Sequence, residues 1–206
     1  VGSNNKITYT INSKGVLKVK NDLVYQGKLM DAQIPRFGMN FTIPKEYSDV
    51  VWYGRGPHEN YIDRKSSAFV GLYGSSVEDL GFDYSRPQEN GYRTDVRWFK
   101  VSNKDKIGFE IRGEPLISFS AHYNTIEDFD DGLIPQKAGE KLAVRQRLVK
   151  MQRKPVDVPK RDFISLNIDL KQMGVGGDNS WGARTLPKYT INPGNYSYSF
   201  TVIPFN

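Results

Sequence analysis

The sequence predicts an all-β protein built as an antiparallel sandwich. Three observations indicate this fold class: many short segments alternate apolar and polar residues, turns rich in Gly, Pro and Asn separate them, and helical periodicity is rare. The 206 residues suit a single domain, since all-β domains often reach this length. Aromatic residues make up 13% of the chain, and their large buried areas compensate for an apolar content of 38%.

The first half of the chain supplies a series of predicted strands. Residues 6–27 form a predicted hairpin with a turn at residues 12–15. Further alternating segments predict strands at residues 34–43, 50–53 and 68–73. The strand at 34–43 should end at Pro44, because proline cannot donate a hydrogen bond to a ladder. Residues 77–84 fit neither a strand nor a helix pattern.

The second half of the chain continues the same pattern. Strands are predicted at residues 92–101, 107–112, 117–121, 162–170, 189–191 and 196–203. Gly113, Glu114 and Pro115 are expected to separate two of these strands, and Asn192 to Asn195 to form a turn before the last. Residues 125–131 suggest one helical turn, capped by Thr125 and acidic at its start.

The positive charge of the chain is concentrated in one segment. The net charge is +6, and residues 136–161, here called the basic insert, contain nine basic and two acidic residues. Because the rest of the chain is nearly neutral, we interpret the insert as a solvated excursion, helical or hairpin-like, within the single domain 1–206. A nucleic-acid site is disfavoured for the same reason.

The composition excludes several kinds of site. The chain has no cysteine, which excludes disulfides and thiolate metal sites, and only two histidines, which excludes a histidine-rich metal site. No apolar segment approaches the roughly 18 to 20 residues that a membrane-spanning helix needs.

Three polar loops that contain glycine are the candidates for function. They span residues 54–61, 86–92 and 174–181, and each combines an aromatic ring with a carboxylate, an amide or both. Loops held by a rigid β scaffold commonly carry binding or catalytic residues. Glycoside hydrolysis needs two carboxyl groups at a defined separation, but nothing local selects a pair among Glu59, Asp63, Glu89 and Asp178. For the first three, bracing of a turn is the favoured interpretation.

The third loop presents the most distinctive aromatic residue. Four glycines between Met173 and Gly182 frame Asp178, Asn179 and Trp181. Glycine permits a sharp turn and close packing, so Trp181 could stack on a sugar ring or fill a gap in the core. The local pattern alone favours the core. His58 and His122 could act as an acid or base, although a structural role is favoured for both.

These loops carry motifs that resemble the small-chain, C-terminal domain of family 2 β-galactosidases. Residues 52–64, WYGRGPHENYIDR, are similar to the W-x-G-x-G-P-x-E-N-Y-x-D-R signature of that domain. Residues 86–93, RPQENGYR, look like its R-P-Q-E-N-G-x-R run, and residues 174–182, GVGGDNSWG, like its G-V-G-G-D-x-S-W-G loop. The motifs follow the order of the family, and the resemblance spans roughly residues 7–203.

The resemblance implies a large antiparallel supersandwich, of the kind also seen in galactose mutarotases. It implies that the catalytic glutamates lie on a preceding TIM-barrel domain. We therefore expect this chain to be a C-terminal fragment of a retaining β-galactosidase, lacking the first strands of its domain and inactive alone. Trp181 matches the tryptophan that this domain contributes to the sugar pocket, with Asp178, Asn179, Gly176 and Gly177 supporting its loop. The weaker candidates are Glu59, Glu89 and His58.

The resemblance also sets expectations for partners. The galactoside would be shared with the catalytic domain, the full-length enzyme would be a homo-oligomer, and neither nucleic acid nor membrane would be bound. No metal or cofactor is expected in this chain, since the Mg and Na of full-length relatives belong to other domains. The compartment, cytoplasm or periplasm, is left undecided. Two alternatives stay open: a free-standing carbohydrate-binding module, and a mutarotase-like aldose epimerase using His58 or His122. The basic insert departs from the shorter connection expected of the family.

Overall fold

A computed structural model of the chain describes residues 2–27, 33–129, 154–179 and 182–206. The regular structure of the described part is almost entirely antiparallel strand, so the predicted all-β class is confirmed. The strands are β1 (Gly2–Ile11), β2 (Leu17–Gln26), β3 (Arg36–Pro44), β4 (Asp49–Gly56), β5 (Phe69–Ser76), β6 (Arg93–Ser102), β7 (Gly108–His122), β8 (Phe163–Gln172) and β9 (Tyr196–Phe205).

The strands form one sheet that forks at β7. The main path runs β1-β2-β9-β7-β6-β4-β5. The first half of β7, residues 108–114, pairs with β9, and its second half, residues 118–122, pairs with β8. Strand β8 then pairs with β3. Strands β9 and β8 therefore pair with the same edge of β7, one along its first half and the other along its second half. Beyond β7 the sheet divides into two layers, here called leaves.

The two leaves pack face to face, which makes the fold a sandwich. Phe41 of β3 meets Phe200 of β9 edge to face, with ring centroids 5.9 Å apart. The hydroxyl of Tyr198 on β9 donates to the carbonyl of Ile168 on β8 at 2.8 Å. The rings of Phe99 on β6 and Phe119 on β7 stack with their centroids 4.4 Å apart, and both residues are fully buried. Aromatic rings therefore supply most of the large side chains of the core.

Strand β7 corrects one prediction. Residues 107–112 and 117–121 were predicted as two strands, but they belong to one continuous strand of fifteen residues. Pro115 lies between the stretch that pairs with β9 and the stretch that pairs with β8. Since no ladder bond is required of proline at this change of partner, the strand passes through it without a break.

The segment before the last strand corrects another prediction. Residues 189–191 were predicted as a strand, but Pro187–Tyr189 forms a short 3-10 turn. Proline suits the first position of such a turn because its φ is already set and its missing N–H is not needed there. The carbonyl of Ile191 still accepts a hydrogen bond from Ile34 N at 2.9 Å, which ties this segment to the start of β3.

Helical structure in the described residues is limited to single turns. The ambiguous segment 77–84 contains α1 (Val77–Leu80), capped by the Ser76 hydroxyl, which accepts from Asp79 N at 3.2 Å. Within the predicted turn at 125–131, Glu127–Phe129 is a 3-10 helix, and residues 130 and 131 lie outside the described residues. At its start the Asp128 carboxylate accepts from Thr125 N at 2.9 Å, as the third residue of a capping box does.

Only the last part of the basic insert falls within the described residues. Residues 136–153 lie outside them, so the prediction of a helix or hairpin there is not addressed. The rest contains a 3-10 turn at Pro155–Asp157. Lys160 pairs with Glu78 at 2.5 Å and Arg161 Nε donates to Asp128 at 3.0 Å, which fix this end of the insert to the body of the domain. No helix in the described ranges is long and apolar enough to cross a bilayer.

Candidate functional site

The glycine-rich loop after β8 is anchored by a carboxylate from a distant part of the chain. The Oδ2 atom of Asp63 accepts a hydrogen bond from Gly176 N at 2.8 Å. Gly174 N donates to Tyr189 O at 2.8 Å, and the hydroxyl of Thr185 donates to Gly174 O at 2.9 Å. The start of the loop is therefore fixed from three sides.

Two glycines of the loop allow close packing that a side chain would prevent. A Cβ on Gly174 would lie 2.6 Å from Asp63 Cγ, and one on Gly177 would lie 2.1 Å from Ala183 O. Real Cβ atoms do not approach other atoms so closely, so any larger residue would displace the loop. Gly177 and Ala183 are therefore in direct contact, which brings together the two segments that flank the loop tip.

The predicted sugar contact itself lies outside the described residues. Neither Trp181 nor the preceding Ser180 belongs to the described ranges. Gly176, Gly177, Asp178 and Asn179, which were predicted to support the loop, are described and exposed. The roles of Asp178 and Asn179 stay predictions, whereas Asp63 makes the anchoring bond.

Glu59 joins the first and second loops. Its Oε2 accepts from Gly91 N at 2.7 Å, and its Oε1 accepts from the guanidinium of Arg64 at 2.5 Å and from the hydroxyl of Tyr84. Gly91 has a φ of 74°, in the left-handed region that favours glycine. With three donors and a side chain only 11% exposed, Glu59 acts as a brace.

The neighbouring Asn60 makes a second connection between the same loops. Its backbone N donates to Tyr92 O at 2.7 Å. Its side-chain oxygen accepts from Thr94 N at 3.0 Å and from the Thr94 hydroxyl at 2.6 Å. The rings of Tyr61 and Tyr92 stack beside these bonds, with centroids 5.5 Å apart and both residues fully buried. The first and second loops are thus a single rigid unit.

Glu89 belongs to a largely buried polar cluster around Arg36. The guanidinium of Arg36 lies 2.8 Å from Glu89 and 3.3 Å from Asp169, and donates to the Gln172 side chain. Burial raises the pKa of Glu89, and the Arg36 guanidinium opposes this. Burial also raises the pKa of Asp169 to about 7, again opposed by Arg36 and by the Tyr92 hydroxyl. One cation therefore serves two acids, of which Asp169 is buried and Glu89 is partly buried.

The residues of this cluster outside Glu89 were missed by sequence reasoning. Asp169 is fully buried, and the residue opposite it in the ladder is Gly38. A Cβ on Gly38 would lie 1.7 Å from the Asp169 carboxylate, so this glycine provides the space that Asp169 occupies. A glycine and an aspartate in facing strands are a signal that appears only once the register of β3 and β8 is known.

The two histidines have structural partners. The Nε2 atom of His58 lies 3.0 Å from the Ser67 hydroxyl on the surface. His122 Nε2 is 2.9 Å from Asn90 O, and its ring packs edge-on against Phe129 at 5.7 Å. Burial lowers the pKa of His122. The neutral ring then donates its Nε2 proton to this carbonyl, which agrees with the satisfied histidine favoured from the sequence.

One cleft adjoins the weaker candidate residues. It has a volume of about 390 Å³ and is lined by His58, Glu59, Arg93, Trp52 and Phe82, among others. Arg93 donates to three backbone carbonyls, those of Leu80, Gly91 and Pro57. Within the ranges that the structure describes, no group of three or more His, Asp or Glu side chains could hold a metal ion.

Comparison with known proteins gives a consistent result. The family model described as "Beta galactosidase small chain" matches residues 2–202. A β-galactosidase of Priestia megaterium is 36% identical over 199 residues, which cover 96% of this chain and 17% of that protein. A β-galactosidase of Halalkalibacterium halodurans is 31% identical over 191 residues (90% and 17%), and one of Streptococcus thermophilus is 29% identical over 203 residues (98% and 18%). The chain spans about a sixth of the length of these relatives.

Proposed function

This chain belongs to the beta-galactosidase small-chain family, and on that basis we propose that it is part of a longer β-galactosidase. The longer enzyme hydrolyses terminal non-reducing β-D-galactosides with retention of configuration. Its acid/base and nucleophile glutamates lie on a TIM-barrel domain outside these residues. This part of the enzyme supplies one wall of the sugar pocket and the scaffold that holds that wall in place.

This proposal rests on one observation: the acidic residues of the matched motifs are already bound by other groups of the protein. Glu59 accepts three hydrogen bonds, Glu89 pairs with Arg36, and Asp63 accepts from Gly176. A nucleophile or acid/base must reach the glycosidic bond, whereas these three carboxylates are held by protein donors. They position loops, which supports catalysis by groups elsewhere.

The proposed contribution of Trp181 follows from its place in the anchored loop. Asp63 fixes Gly176, and the contact of Gly177 with Ala183 closes the loop below its tip. A tryptophan presents a large apolar surface at little conformational cost, and the apolar face of a galactose ring can stack against it. The rigid loop would hold the indole in place before the sugar arrives, which reduces the entropy cost of binding.

The test is substitution of Trp181 in the longer enzyme. We expect Trp181→Ala to reduce kcat/KM for a galactoside by about 5- to 150-fold, which corresponds to roughly 1 to 3 kcal/mol of stacking. Trp181→Phe, which keeps a ring, should lose less. Val175→Ala, an exposed change in the same loop at a residue with no assigned role, controls for loop damage. Unchanged galactoside kinetics in a folded Trp181→Ala enzyme would refute the proposed role.

A further inference from the structure

Strand β8 contains one extra residue shortly before the glycine-rich loop. Gln172, the last residue of β8, lies opposite Arg36 of β3. Asp169 lies opposite Gly38, which is only two residues further along β3. Leu170 is therefore the extra residue of a β-bulge. A bulge bends its strand and redirects side chains, and bulges are common beside functional sites.

The bulge brings two polar side chains of β8 to the same face of the sheet. In a regular strand, residues 169 and 172 would point to opposite faces, because successive side chains alternate. Arg36 and Gly38 share a face of β3, and residues directly opposite in a ladder lie on the same face. Gln172 therefore joins Asp169 beside the Arg36 guanidinium, whereas regular alternation would turn it away.

The side chain of Gln172 connects two segments that are distant in the sequence. Its Oε1 atom accepts from Arg36 Nε at 3.1 Å and from Arg36 Nη2 at 2.5 Å. Burial raises the pKa of Glu89 in the second loop, and a hydrogen bond with the Gln172 side chain is among the contacts that oppose this shift. Gln172 is only 7% exposed, so these contacts are shielded from water.

The chemistry of this position favours a carboxamide. The cluster holds one cation, Arg36, and two acids, Glu89 and Asp169. The oxygen of Gln172 accepts from the cation while its NH2 group can donate to an acid, so the residue serves both without adding charge. A carboxylate here would be a third acid facing Glu89. An apolar side chain would leave polar groups of both neighbours without this partner.

Gln172 also completes the connections among the three candidate loops. The backbone N–H of the next residue, Met173, donates to Pro35 O at 2.9 Å, so the chain leaves β8 along a fixed path. Glu59 joins the first loop to the second, and Asp63 joins the first loop to the third. Gln172 supplies the remaining connection, between the second loop and the start of the third.

We propose that Gln172 is a positioning residue for the sugar-binding wall of the longer enzyme. By tying the end of β8 to Arg36 and to the second loop, it sets the direction in which the chain enters the loop that carries Trp181. The inference rests on the proposed function, because the direction of the loop matters to catalysis only through the stacking of Trp181 on the galactoside. A loop held in place before the sugar binds reduces the entropy cost of binding.

Steady-state kinetics of Gln172→Met in the longer enzyme test this role. Methionine roughly keeps the length of the side chain, but it donates no hydrogen bond and accepts only weakly. We expect KM for the galactoside to rise by about 2- to 12-fold, the factor to which the net contribution of one hydrogen bond corresponds, with kcat nearly unchanged. Partial unfolding would instead reduce the active fraction, which lowers kcat and leaves KM unchanged.

A second substitution keeps the test decisive if Gln172→Met does not fold. Gln172→Glu retains oxygen acceptors for Arg36 but turns a carboxylate towards Glu89, so we expect KM to rise here too. Asn40→Ala is the matched control. The Asn40 side chain bridges the same two strands further from the loop, donating to Ser165 and Asn167 at 2.9 Å each, and its removal should leave KM at the wild-type value.

A double variant separates positioning of the wall from other effects on KM. In the Trp181→Ala background, Gln172→Met should cause no further rise in KM, because the ring that it positions is absent. Hydrogen exchange measured by mass spectrometry gives a readout that needs no activity. Residues 173–177 should exchange faster in Gln172→Met than in wild type or in Asn40→Ala.

The outcomes distinguish this inference from the proposed function. Unchanged kinetics in Trp181→Ala contradict the proposed function. If Trp181→Ala raises KM but Gln172→Met and Gln172→Glu do not, only the role of Gln172 is refuted. An equal rise in Asn40→Ala, a full additional rise in the Trp181→Ala background, or unchanged exchange of residues 173–177 would also overturn that role.

Discussion

At the residue scale, Glu59 and Asp63 have structural roles, because each accepts a hydrogen bond from a distant segment of the chain. Glu59 receives Gly91 N from 32 residues away, and Asp63 receives Gly176 N from 113 residues away. A hydrogen bond to a charged group contributes about 1.5 to 3 kcal/mol, so each acid fixes one loop against another. Sequence reasoning favoured bracing of a turn for both residues, and the structure adds that each also joins segments that are distant in the chain.

Asp169 shows why part of the polar cluster could not be predicted. Ser165, Asn167 and Asp169 alternate with Ile164, Leu166 and Ile168, a pattern typical of a strand with one solvent-facing side. In the structure both faces of β8 are buried, and the polar side bonds to neighbours such as Ser120 and Asn40. Burial of a polar face depends on tertiary packing that no local pattern records.

The raised pKa of Asp169 gives a pH-dependent stability. Burial raises the pKa to about 7, whereas an unfolded chain has about 3.9 for Asp. Between these values the folded state binds the proton and the unfolded state does not, so stability falls as pH rises through this window. We expect the wild-type free energy of unfolding to lose up to about 1.4 kcal/mol per pH unit from this group between pH about 4 and about 7.

The measurement is urea unfolding of wild type and Asp169→Asn across that pH range. The amide keeps the shape of the carboxyl group and does not titrate, so the stability of wild type relative to the variant should decrease with rising pH. Glu89 shares Arg36 with Asp169, so the same pair of proteins is also measured in a Glu89→Gln background, which removes the titration of Glu89. Asp178→Asn, an exposed change, should follow the wild-type profile. A constant difference between wild type and Asp169→Asn would show that Asp169 does not titrate as described.

At the element scale, alternation and turn residues predict most strands, and the two errors occur at prolines, one where β7 changes its ladder partner and one where a turn begins. The hairpin of β1 and β2 and the strands β3 to β6 follow the pattern closely. Pro115 indicates a break locally, but the change from β9 to β8 in the ladder accommodates it. Residues 189–191 look like a strand because Tyr, Thr and Ile are all common in strands, but Pro187 begins a turn instead.

The glycine-rich loop should depend on Asp63 more than on its own acid. Asp63→Ala removes the acceptor of Gly176 N, and a bond of about 1.5 to 3 kcal/mol corresponds to roughly 10- to 150-fold faster exchange of that amide. In the longer enzyme we expect KM for the galactoside to rise in parallel, because the loop that carries Trp181 would be less well positioned. NMR-detected hydrogen exchange at Gly176 makes the direct measurement.

Two variants define the specificity of this effect. Asp63→Asn retains an oxygen acceptor without the charge and should show an intermediate exchange rate. Asp178→Ala alters the exposed acid within the loop and should leave the Gly176 amide protected. Equal effects of Asp63→Ala and Asp178→Ala would mean that the anchor of the loop lies elsewhere.

At the scale of the whole molecule, the forked sheet brings the candidate loops into mutual contact. Loops that follow β4 and precede β6 are joined through Glu59 and Asn60, and Asp63 connects this unit to the loop after β8. The sequence predicts each loop by its glycines and polar residues, but their convergence depends on strand order, which alternation does not specify. The resemblance to a known family, rather than periodicity, indicated that these loops belong together.

The candidate loops converge, but Glu59, Asp63 and Glu89 in their motifs are all bound by protein groups. This arrangement leads to the last prediction. The isolated 206-residue chain, once shown by circular dichroism to contain its β structure, should not hydrolyse a chromogenic β-galactoside, because Glu59, Asp63 and Glu89 are held by protein donors. Calorimetric titration with galactose should show no saturation, since a single stacking wall offers little affinity without the remaining pocket. The longer enzyme, assayed in parallel, should show both activity and binding. Saturable galactose binding by the isolated chain would favour a free-standing carbohydrate-binding module, and turnover by a contaminant-free sample would place catalytic groups within these residues.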